Sequence, residues 1–308
     1  MVNDRKNPDP AAIVESILES YKQHGEMAHL EGGNLPSRET IWSIVEELLC
    51  LIFPGFLETG ELAPDEFVAR TSLRVRSVER RLRDEIEKGL RFSSSTKLPE
   101  DECRQIAETA TRTLLSRIPY VRDILSTDIE AAYDGDPAAQ SLEEIIVAYP
   151  GVQAIAVYRL AHVLWREKIP LVPRVMTEYA HSRTGIDIHP GATIGKRFFI
   201  DHGTGVVIGE TCSIGENVRI YQGVTLGARS FAKDEHGRLL RGIKRHPNLE
   251  DEVTVYSGAT ILGDVRIGRG SLVGGNVWLT ESVPADTKIV VRPPQQIHIE
   301  DGANDYQI

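Results

Sequence analysis

The sequence Asp-His-Gly-Thr-Gly at residues 201–205 places His202 between an acid and a glycine, with a second glycine close behind. Histidine is the side chain whose ordinary pKa lies closest to neutral, which suits it to take a proton from a substrate. The glycines keep bulky neighbours away from the ring. We therefore predict that His202 is a general base. A solvated polar residue at a chain corner is the alternative that the pattern leaves open.

A second group with possible chemistry is a cluster of basic residues within 228–245, in a chain whose net charge is -10. Clustered cations can attract the phosphates of a nucleotide. For any single member, a solvated loop position is an equally good interpretation. The group consists of Arg229, Lys233, Arg238, Arg241, Lys244 and Arg245, set against Asp234 and Glu235.

Both groups lie within a stretch in which aliphatic residues recur every six positions. A period of six fits neither an α-helix nor a flat strand, but it is typical of a parallel β-helix with three hexapeptides per coil. We predict a triangular coil whose marked aliphatic residues point inward. The first run is Ile188, Ile194 and Ile200 and, after a slip of two residues at Val206, Ile208, Ile214, Ile220 and Leu226. The second run is Leu249, Val255, Ile261, Ile267, Val273 and Leu279.

The six-residue count breaks between the two runs, so residues 228–245 must leave the coil as an excursion loop. Loops on rigid scaffolds are common places for binding sites. A triangular coil also has flat sides and open ends that one chain leaves uncovered. We therefore expect the chains to assemble side by side as a trimer, with helices capping one end of the coil.

The sequence before the repeat has helical periodicity, so the predicted fold class is α+β in two parts. We predict a disordered arm at 1–10, an all-helical domain at 11–185, a left-handed parallel β-helix at 186–284, and a flexible tail at 285–308. The tail is assigned from its Pro, Gln, Asp and Asn content.

Composition narrows the function. The chain has 308 residues, of which 41% are hydrophobic and 26% are charged, as in ordinary globular proteins. Its acidic balance argues against a nucleic-acid surface. No apolar run is long enough to span a bilayer, and three scattered cysteines favour a reducing compartment, so we predict a cytoplasmic protein.

Four motifs in order resemble the serine O-acetyltransferases, the hexapeptide-repeat enzymes that open cysteine biosynthesis. They are DIHPGATIG from Asp187, DHGTGVVIGET from Asp201, YQGVTLG from Tyr221 and RHPNLEDEV from Arg245. The resemblance covers about 127–283, returns at the C-terminus, and includes an excursion loop longer than in the common bacterial enzymes. It implies acetyl transfer from acetyl-CoA to the hydroxyl of L-serine, with no metal.

The resemblance also implies that Asp187 orients the ring of His202, as the carboxylate does in a catalytic triad. Their separation in the chain is slightly less than one coil of three hexapeptides. They would then lie on adjacent coils, about three residues or roughly 10 Å apart along the perimeter. Side chains and a bent corner can close that gap.

For the substrate, the resemblance implies that Arg245 binds the serine carboxylate through a bidentate fork, beside the second active-site histidine, His246. Asp136 and Asp201 match the acidic substrate-binding positions, which suit the ammonium group. A simple turn before Pro137 is the alternative interpretation for Asp136.

For acetyl-CoA, we expect small residues to let the pantetheine arm lie against the backbone in a cleft between neighbouring subunits. The predicted contacts are Gly227, Ala228, Ser257, Gly258, Ala259, Gly274, Gly275 and Asn276. The basic residues of the excursion loop would meet the nucleotide phosphates.

The chain ends in Ile308 after an acidic stretch. The resemblance implies that this tail enters the active site of O-acetylserine sulfhydrylase, where a terminal carboxylate and an apolar side chain can be captured together. A frayed terminus is the alternative. The resemblance further implies L-cysteine as a feedback inhibitor and a homotrimer or a dimer of trimers.

Three other functions stay open at this point. The acceptor can be homoserine or an amino sugar, or the chain can be a non-catalytic regulatory subunit of a cysteine synthase complex. A zinc carbonic anhydrase on the same fold would need His189, His202 and His246 to converge on one metal.

Overall fold

The computed structural model describes residues 9–28, 35–58, 63–93 and 98–292. It divides into a small unit that ends at Leu35 and a large unit that begins at Pro36. Residues 1–8 of the predicted arm and residues 293–308 of the predicted tail, Ile308 included, lie outside the described residues.

The small unit contains helix α1, Pro10–Gln23, and a 3-10 turn at Gly25–Met27. Asp9 caps α1 by accepting the N–H of Ala11 at 3.2 Å, and Pro10 begins the helix where no amide donor is needed. The helix therefore includes the last residue of the segment expected as an arm.

The described residues of the large unit begin with six helices, whose apolar faces form one continuous core with the coil that follows. Ser37 caps the first of them by accepting the N–H of Thr40 at 3.1 Å, as its sequence position indicates. The helices are α2 Arg38–Ile52, α3 Pro64–Phe92, α4 Glu100–Gly135, α5 Leu142–Ala148, α6 Pro150–Arg166 and α7 Val172–Thr184.

A buried ion pair joins the helices to the coil. Arg159 of α6 donates two hydrogen bonds to Asp128 of α4, at 2.7 and 2.9 Å, and donates further to the carbonyls of Ile194 and Gly195. The Asp128 carboxylate also accepts the N–H of Phe198 at 2.9 Å. Because every charge in this group has a partner, removing one side of it would leave a buried ion uncompensated.

Helix α7 ends at Gly185, which has the left-handed φ of 70° typical of a helix C-cap. The coil starts two residues later and is built from short parallel strands. These are β1 Asp187–Ile188, β2 Thr193–Ile194, β3 Phe199–Asp201, β4 Val207–Ile208, β5 Ser213–Ile214, β6 Arg219–Tyr221, β7 Thr225–Gly227, β8 Asn248–Leu249, β9 Thr254–Val255, β10 Thr260–Leu262, β11 Arg266–Ile267, β12 Leu272–Val273, β13 Trp278–Leu279 and β14 Lys288–Ile289.

The strands form three parallel sheets, which are the three faces of a triangular prism. The first face has the order β1-β4-β7-β10-β13, the second β11-β8-β5-β2 and the third β14-β12-β9-β6-β3. The marked aliphatic residues point inward and are almost all buried, as are Val206 and Cys212 between them. The predicted fold class, helices followed by a parallel β-helix, is confirmed.

The first coil is longer than the three hexapeptides that we expected. Asp187 is in register with Val207, and Val207 is in register with Thr225. The distance along the chain from Val207 to Thr225 equals three hexapeptides, whereas that from Asp187 to Val207 is two residues longer. The extra pair lies in the turn 202–206 between β3 and β4, which holds His202. The chain therefore makes a widened corner at the predicted catalytic base.

The excursion loop leaves the coil between β7 and β8, over residues 228–247. Thr225 is consequently in register with Thr260, much farther along the chain than one ordinary coil. Within the loop, Lys233 and Leu239 form an isolated antiparallel bridge.

The coil continues beyond residue 284, where we expected it to stop. Strand β14 pairs in parallel with β12 through Leu272 and Lys288, so its residues are ordered by ladder hydrogen bonds. The composition from residue 284 onward wrongly predicted a flexible tail, because the first Pro and Asp residues here lie at a turn of the coil. None of the described helices has the length and apolar character needed to cross a bilayer.

Candidate active site

The predicted site residues lie along two edges of the prism. The histidine edge joins the third face to the first and consists of the turns 202–206, 222–224, 256–259 and 274–277. The arginine edge joins the first face to the second and consists of the turns 189–192 and 209–212 and the end of the excursion loop, 243–247.

His202 begins the histidine edge in a left-handed conformation, with φ of 57°, and Gly203 and Gly205 follow with φ of 84° and 80°. Residues other than glycine rarely adopt this region, and such strain is concentrated at functional sites. The imidazole is 70% exposed, and its Nδ1 lies 3.4 Å from Oδ1 of Asp201. The turn therefore presents the ring to solvent with a carboxylate beside one nitrogen.

Asp136 reaches the same place from the end of α4, as the residue that caps the helix. Its Oδ2 accepts the hydroxyl of Tyr149 at 2.5 Å, and its Oδ1 accepts the N–H of Ala138 at 2.8 Å. The bond from Tyr149 and then the bond from Ala138, with a smaller effect of the charge that His202 can carry, hold the pKa of Asp136 below its usual value. The structure thus brings Asp136, Asp201 and His202 together, although Asp136 lies far from the other two in the chain.

Arg245 lies on the arginine edge. Its Nη2 is 2.5 Å from Oε2 of Glu210, and its backbone N–H donates to Oγ1 of Thr211 at 3.0 Å. About a fifth of its side chain is exposed. The guanidinium is therefore held in place by the turn after β4 while part of its surface faces outward.

His246, beside it, is buried. Its Nδ1 accepts from the backbone N–H of Thr211 at 3.1 Å and lies 2.8 Å from the Thr211 hydroxyl. Burial, reinforced by the charge of Arg245, lowers the pKa of His246 to about 4. The ring is therefore neutral near pH 7, and because Nδ1 accepts, its proton sits on Nε2, which can act as a hydrogen-bond donor.

Gly209 makes room for that ring. A Cβ at this position would lie 2.1 Å from Cδ2 and 2.3 Å from Nε2 of His246, closer than atoms can approach. The glycine in the sequence Gly-Glu-Thr, 209–211, thus has a packing reason, and the next two residues bind Arg245 and His246.

Asp187 lies between the two edges, at the start of the first face. Its Oδ1 is 3.4 Å from Nη1 of Arg174 in α7, and its side chain is mostly buried. The carboxylate that contacts the ring of His202 is that of Asp201 instead. Because the first coil is two positions longer than three hexapeptides, His202 is five positions short of Val207, the register partner of Asp187, rather than the three we expected.

The predicted cofactor residues divide between the edges. Gly227 and Ala228 lie at the arginine edge, where the excursion loop begins. The others lie on the histidine edge, although Ala259 points into the core and is fully buried. They are Ser257, Gly258, Ala259, Gly274, Gly275 and Asn276.

Along the histidine edge, left-handed residues stack above the turn of His202. A Cβ on Gly205 would lie 3.5 Å from Cα of Gly223, and one on Gly223 would lie 3.5 Å from Cα of Gly258. Above Gly258 comes Asn276, whose Oδ1 would be 2.4 Å from a Cβ on that glycine. The result is a narrow track of bare backbone that starts at His202, which we call the glycine track.

Comparison with known proteins identifies the family. The protein named "Serine acetyltransferase, plasmid" of Synechococcus elongatus is 46% identical over 275 residues, which are 87% of this chain and 85% of its own. The serine acetyltransferase of Bacillus subtilis is 44% identical over 179 residues, 58% of this chain and 78% of its own. The chain belongs to the serine acetyltransferase family. No protein-family model matches it.

Solved structures of the family share the fold. The serine acetyltransferase 1 of Entamoeba histolytica in complex with L-cysteine has a TM-score of 0.70 at 35% identity, and the match covers 82% of this chain and 99% of that one. The soybean serine acetyltransferase complexed with serine has a TM-score of 0.53 at 30% identity, covering 85% and 100%. The resemblance drawn from the four motifs is confirmed, and the chain is an acyltransferase.

Within one chain, His189 and His246 lie on the arginine edge and His202 on the histidine edge, so the three imidazoles that the zinc alternative needs do not converge inside a single chain. Among the described residues, Glu178, His181 and Asp187 do bring ligand atoms within 4.8 Å of one another. Arg174 already pairs with both acids, at 2.6 Å from Glu178 and 3.4 Å from Asp187.

Sequence reasoning missed Tyr149, Glu210 and Thr211. Glu210 and Thr211 stand inside a quoted motif, but nothing in the repeat period indicates that their side chains turn toward the end of the excursion loop. Tyr149 precedes Pro150 and Gly151 at the start of α6. A tyrosine directly before a helix-starting Pro-Gly was the available signal.

Proposed function

We propose that this chain transfers the acetyl group of acetyl-CoA to the hydroxyl of L-serine and so produces O-acetyl-L-serine for cysteine biosynthesis. The observation that carries the proposal is the histidine edge, where an exposed imidazole lies 3.4 Å from the Asp201 carboxylate and near enough to Asp136 for their charges to interact. An imidazole can remove the hydroxyl proton, and carboxylates suit the ammonium group of the same amino acid.

His202 is the proposed base. It accepts the serine proton as the oxygen attacks the thioester carbonyl, and it returns that proton to the thiolate of coenzyme A as the tetrahedral intermediate collapses. A carboxylate beside the ring would stabilise the imidazolium that forms in between. The family resemblance assigns this role to Asp187, whereas the ring contact at 3.4 Å favours Asp201.

Two substitutions separate those carboxylates. The orienting residue, changed to Asn, should lower kcat with little change in the serine KM, because its effect grows as charge develops on the ring. An ammonium-binding residue, changed to Asn, should mainly raise the serine KM. Comparing Asp187→Asn with Asp201→Asn in steady-state kinetics therefore assigns each role.

We propose that the carboxylate of serine binds at the arginine edge. Arg245 offers a cation to the carboxylate, and the Nε2–H of His246 offers a neutral donor. One face of the prism, roughly 16 to 20 Å for five to six residues at about 3.3 Å each, separates the two edges in a single chain. We propose that chains stand side by side in a trimer, so that the histidine edge of one meets the arginine edge of its neighbour.

Acetyl-CoA would lie in the same cleft. The glycine track offers bare backbone to the pantetheine arm and leads to His202, where the thioester must sit. The opposite wall would be Gly227, Ala228 and the basic excursion loop, which can neutralise the nucleotide phosphates. L-cysteine has the same ammonium and carboxylate as L-serine, so it would compete for this site as a feedback inhibitor.

We keep two further proposals from the sequence: a cytoplasmic location, and binding of O-acetylserine sulfhydrylase through Ile308. Deleting Ile308 should abolish binding to the sulfhydrylase in a calorimetric titration and leave acetyl transfer intact. Equal binding by the truncated chain would show that the terminus is not the contact.

The activity itself is tested by thiol release from acetyl-CoA with a panel of acceptors. We expect release with L-serine and much less with L-homoserine or an amino sugar. A clear preference for homoserine would replace the acceptor and keep the site. Absence of release with every acceptor, in a folded protein, would favour the non-catalytic regulatory subunit.

A further inference from the structure

Tyr149 makes a hydrogen bond that none of the proposed roles uses. Its hydroxyl donates to Oδ2 of Asp136 at 2.5 Å, while the N–H of Ala138 donates to Oδ1 of the same carboxylate at 2.8 Å. A carboxylate offers about four acceptor positions, so roughly two stay free for a ligand. The two bonds fix the plane of the carboxylate and decide in which direction its free lone pairs point.

The backbone around Tyr149 is itself fixed. Tyr149 is the C-cap residue of α5 and directly precedes α6. Its N–H donates to the carbonyl of Ile145 at 3.2 Å. Pro150 follows as the first residue of α6. Because two helices fix the backbone of Tyr149, its phenol ring has little conformational freedom.

Two glycines press these helix ends onto β3. A Cβ on Gly151 would lie 2.4 Å from the carbonyl oxygen of Ile200, and a Cβ on Gly135 would lie 2.9 Å from the ring of Phe199. Both contacts are with the residues of β3 just before Asp201. The packing of α4 and α6 on this strand therefore sets how far Asp136 and Tyr149 stand from His202.

We propose that Tyr149 is a positioning residue for the amino group of the substrate: it holds the Asp136 carboxylate aimed at the ammonium next to His202. This inference rests on the proposed function, in which Asp136 binds that ammonium. The phenol stays a donor throughout, because the bond to Asp136 raises the pKa of Tyr149 to about 12. It orients a carboxylate and takes no part in proton transfer.

A purely structural role for the phenol would look different. If Tyr149 only linked the start of α6 to the end of α4, loss of its hydroxyl would lower the stability of the fold. It would then raise the KM of serine and the KM of acetyl-CoA equally. A positioning role instead predicts a selective effect on the substrate that carries the ammonium. The KM of serine and the KM of acetyl-CoA therefore separate the two explanations.

The test is Tyr149→Phe, which removes the hydroxyl and keeps the ring. We expect the serine KM to rise by about 5- to 20-fold, because the lost bond is to a charged group but acts at one remove from the ligand. The acetyl-CoA KM and the Tm should stay near those of the unchanged chain. The matched control is Tyr179→Phe, whose hydroxyl donates to Oε1 of Glu46 at 3.3 Å, between α7 and α2. It should lower the Tm and leave the serine KM unchanged.

Asp136→Asn and the double variant complete the test. If Tyr149 acts through Asp136, then Tyr149→Phe adds no further rise in the serine KM once Asp136 is Asn. A raised serine KM in Asp136→Asn with none in Tyr149→Phe overturns this inference alone. An unchanged serine KM in Asp136→Asn overturns the ammonium site of the proposed function. Equal rises in both KM values with a lower Tm in Tyr149→Phe would show a structural role instead.

Discussion

The two edges of the prism use the same residue type in opposite ways. On the histidine edge, His202 is 70% exposed and has carboxylates for neighbours. On the arginine edge, His246 is buried beside a guanidinium, which together lower its pKa to about 4. The first ring is open to solvent beside a carboxylate, whereas the second stays neutral, accepts from Thr211 through Nδ1 and can donate through Nε2.

The edges also differ in charge. Asp136 and Asp201 make the histidine edge acidic, while Arg245, which is paired with Glu210, is a cation on the arginine edge. In an amino acid, the positive ammonium group and the negative carboxylate group are attached to the same carbon atom. A ligand of that kind needs both edges within a few ångströms, which a single prism does not provide and two adjacent prisms can.

The substitution expected to have the largest effect is His202→Ala, which tests the role of the histidine edge. If His202 is the general base as proposed, turnover should fall by a factor of about 10² to 10⁴ while acetyl-CoA still binds. Stopped assays of thiol release, with binding measured by calorimetry, check both parts. Turnover close to that of the unchanged chain would remove His202 from the mechanism.

A mixing experiment tests whether the edges come from different chains. His202→Ala and Arg245→Ala are each expected to be nearly inactive. If equal amounts of the two proteins are denatured and refolded together, about a quarter of all sites should combine two intact edges and regain activity. Recovery no greater than the sum of the separate proteins would place each complete site within one chain. Mixing without refolding is the control.

Arg245→Lys sharpens the assignment of the arginine edge. Lysine keeps the charge but cannot reproduce the planar fork, so the serine KM should rise by about 10- to 100-fold with a smaller change in kcat. Steady-state kinetics with serine as the varied substrate measure this effect. An unchanged serine KM would move the carboxylate site to another residue.

The smallest effect concerns pH. Because His246 is already neutral above about pH 5, His246→Asn should lower kcat/KM by the same factor at every pH from about 5.5 to 8. The two pH profiles should then superimpose after scaling. A change in the shape of the profile would mean that His246 titrates in this range and takes up a proton during the reaction.

Much of the fold follows from local sequence. The six-residue period can be satisfied only by a coil whose aliphatic residues stack inward, and Ile188, Ile208 and Leu226 do so. The break in that period located the excursion loop, and the Asp-His-Gly motif marked His202. Each of these features depends on residues close together in the chain, so spacing alone reveals it.

The tertiary structure decided the rest. The eight-residue step from Ile200 to Ile208 is visible in the sequence, but only the register of Asp187 with Val207 shows that the extra residues lie in the turn of His202. Tyr149 meets Asp136 only because two glycines let α4 and α6 pack against β3. The sequence determines which groups are present and which face of the coil each occupies. Packing between distant elements determines which groups meet, because contact distance and burial depend on all the surrounding atoms at once.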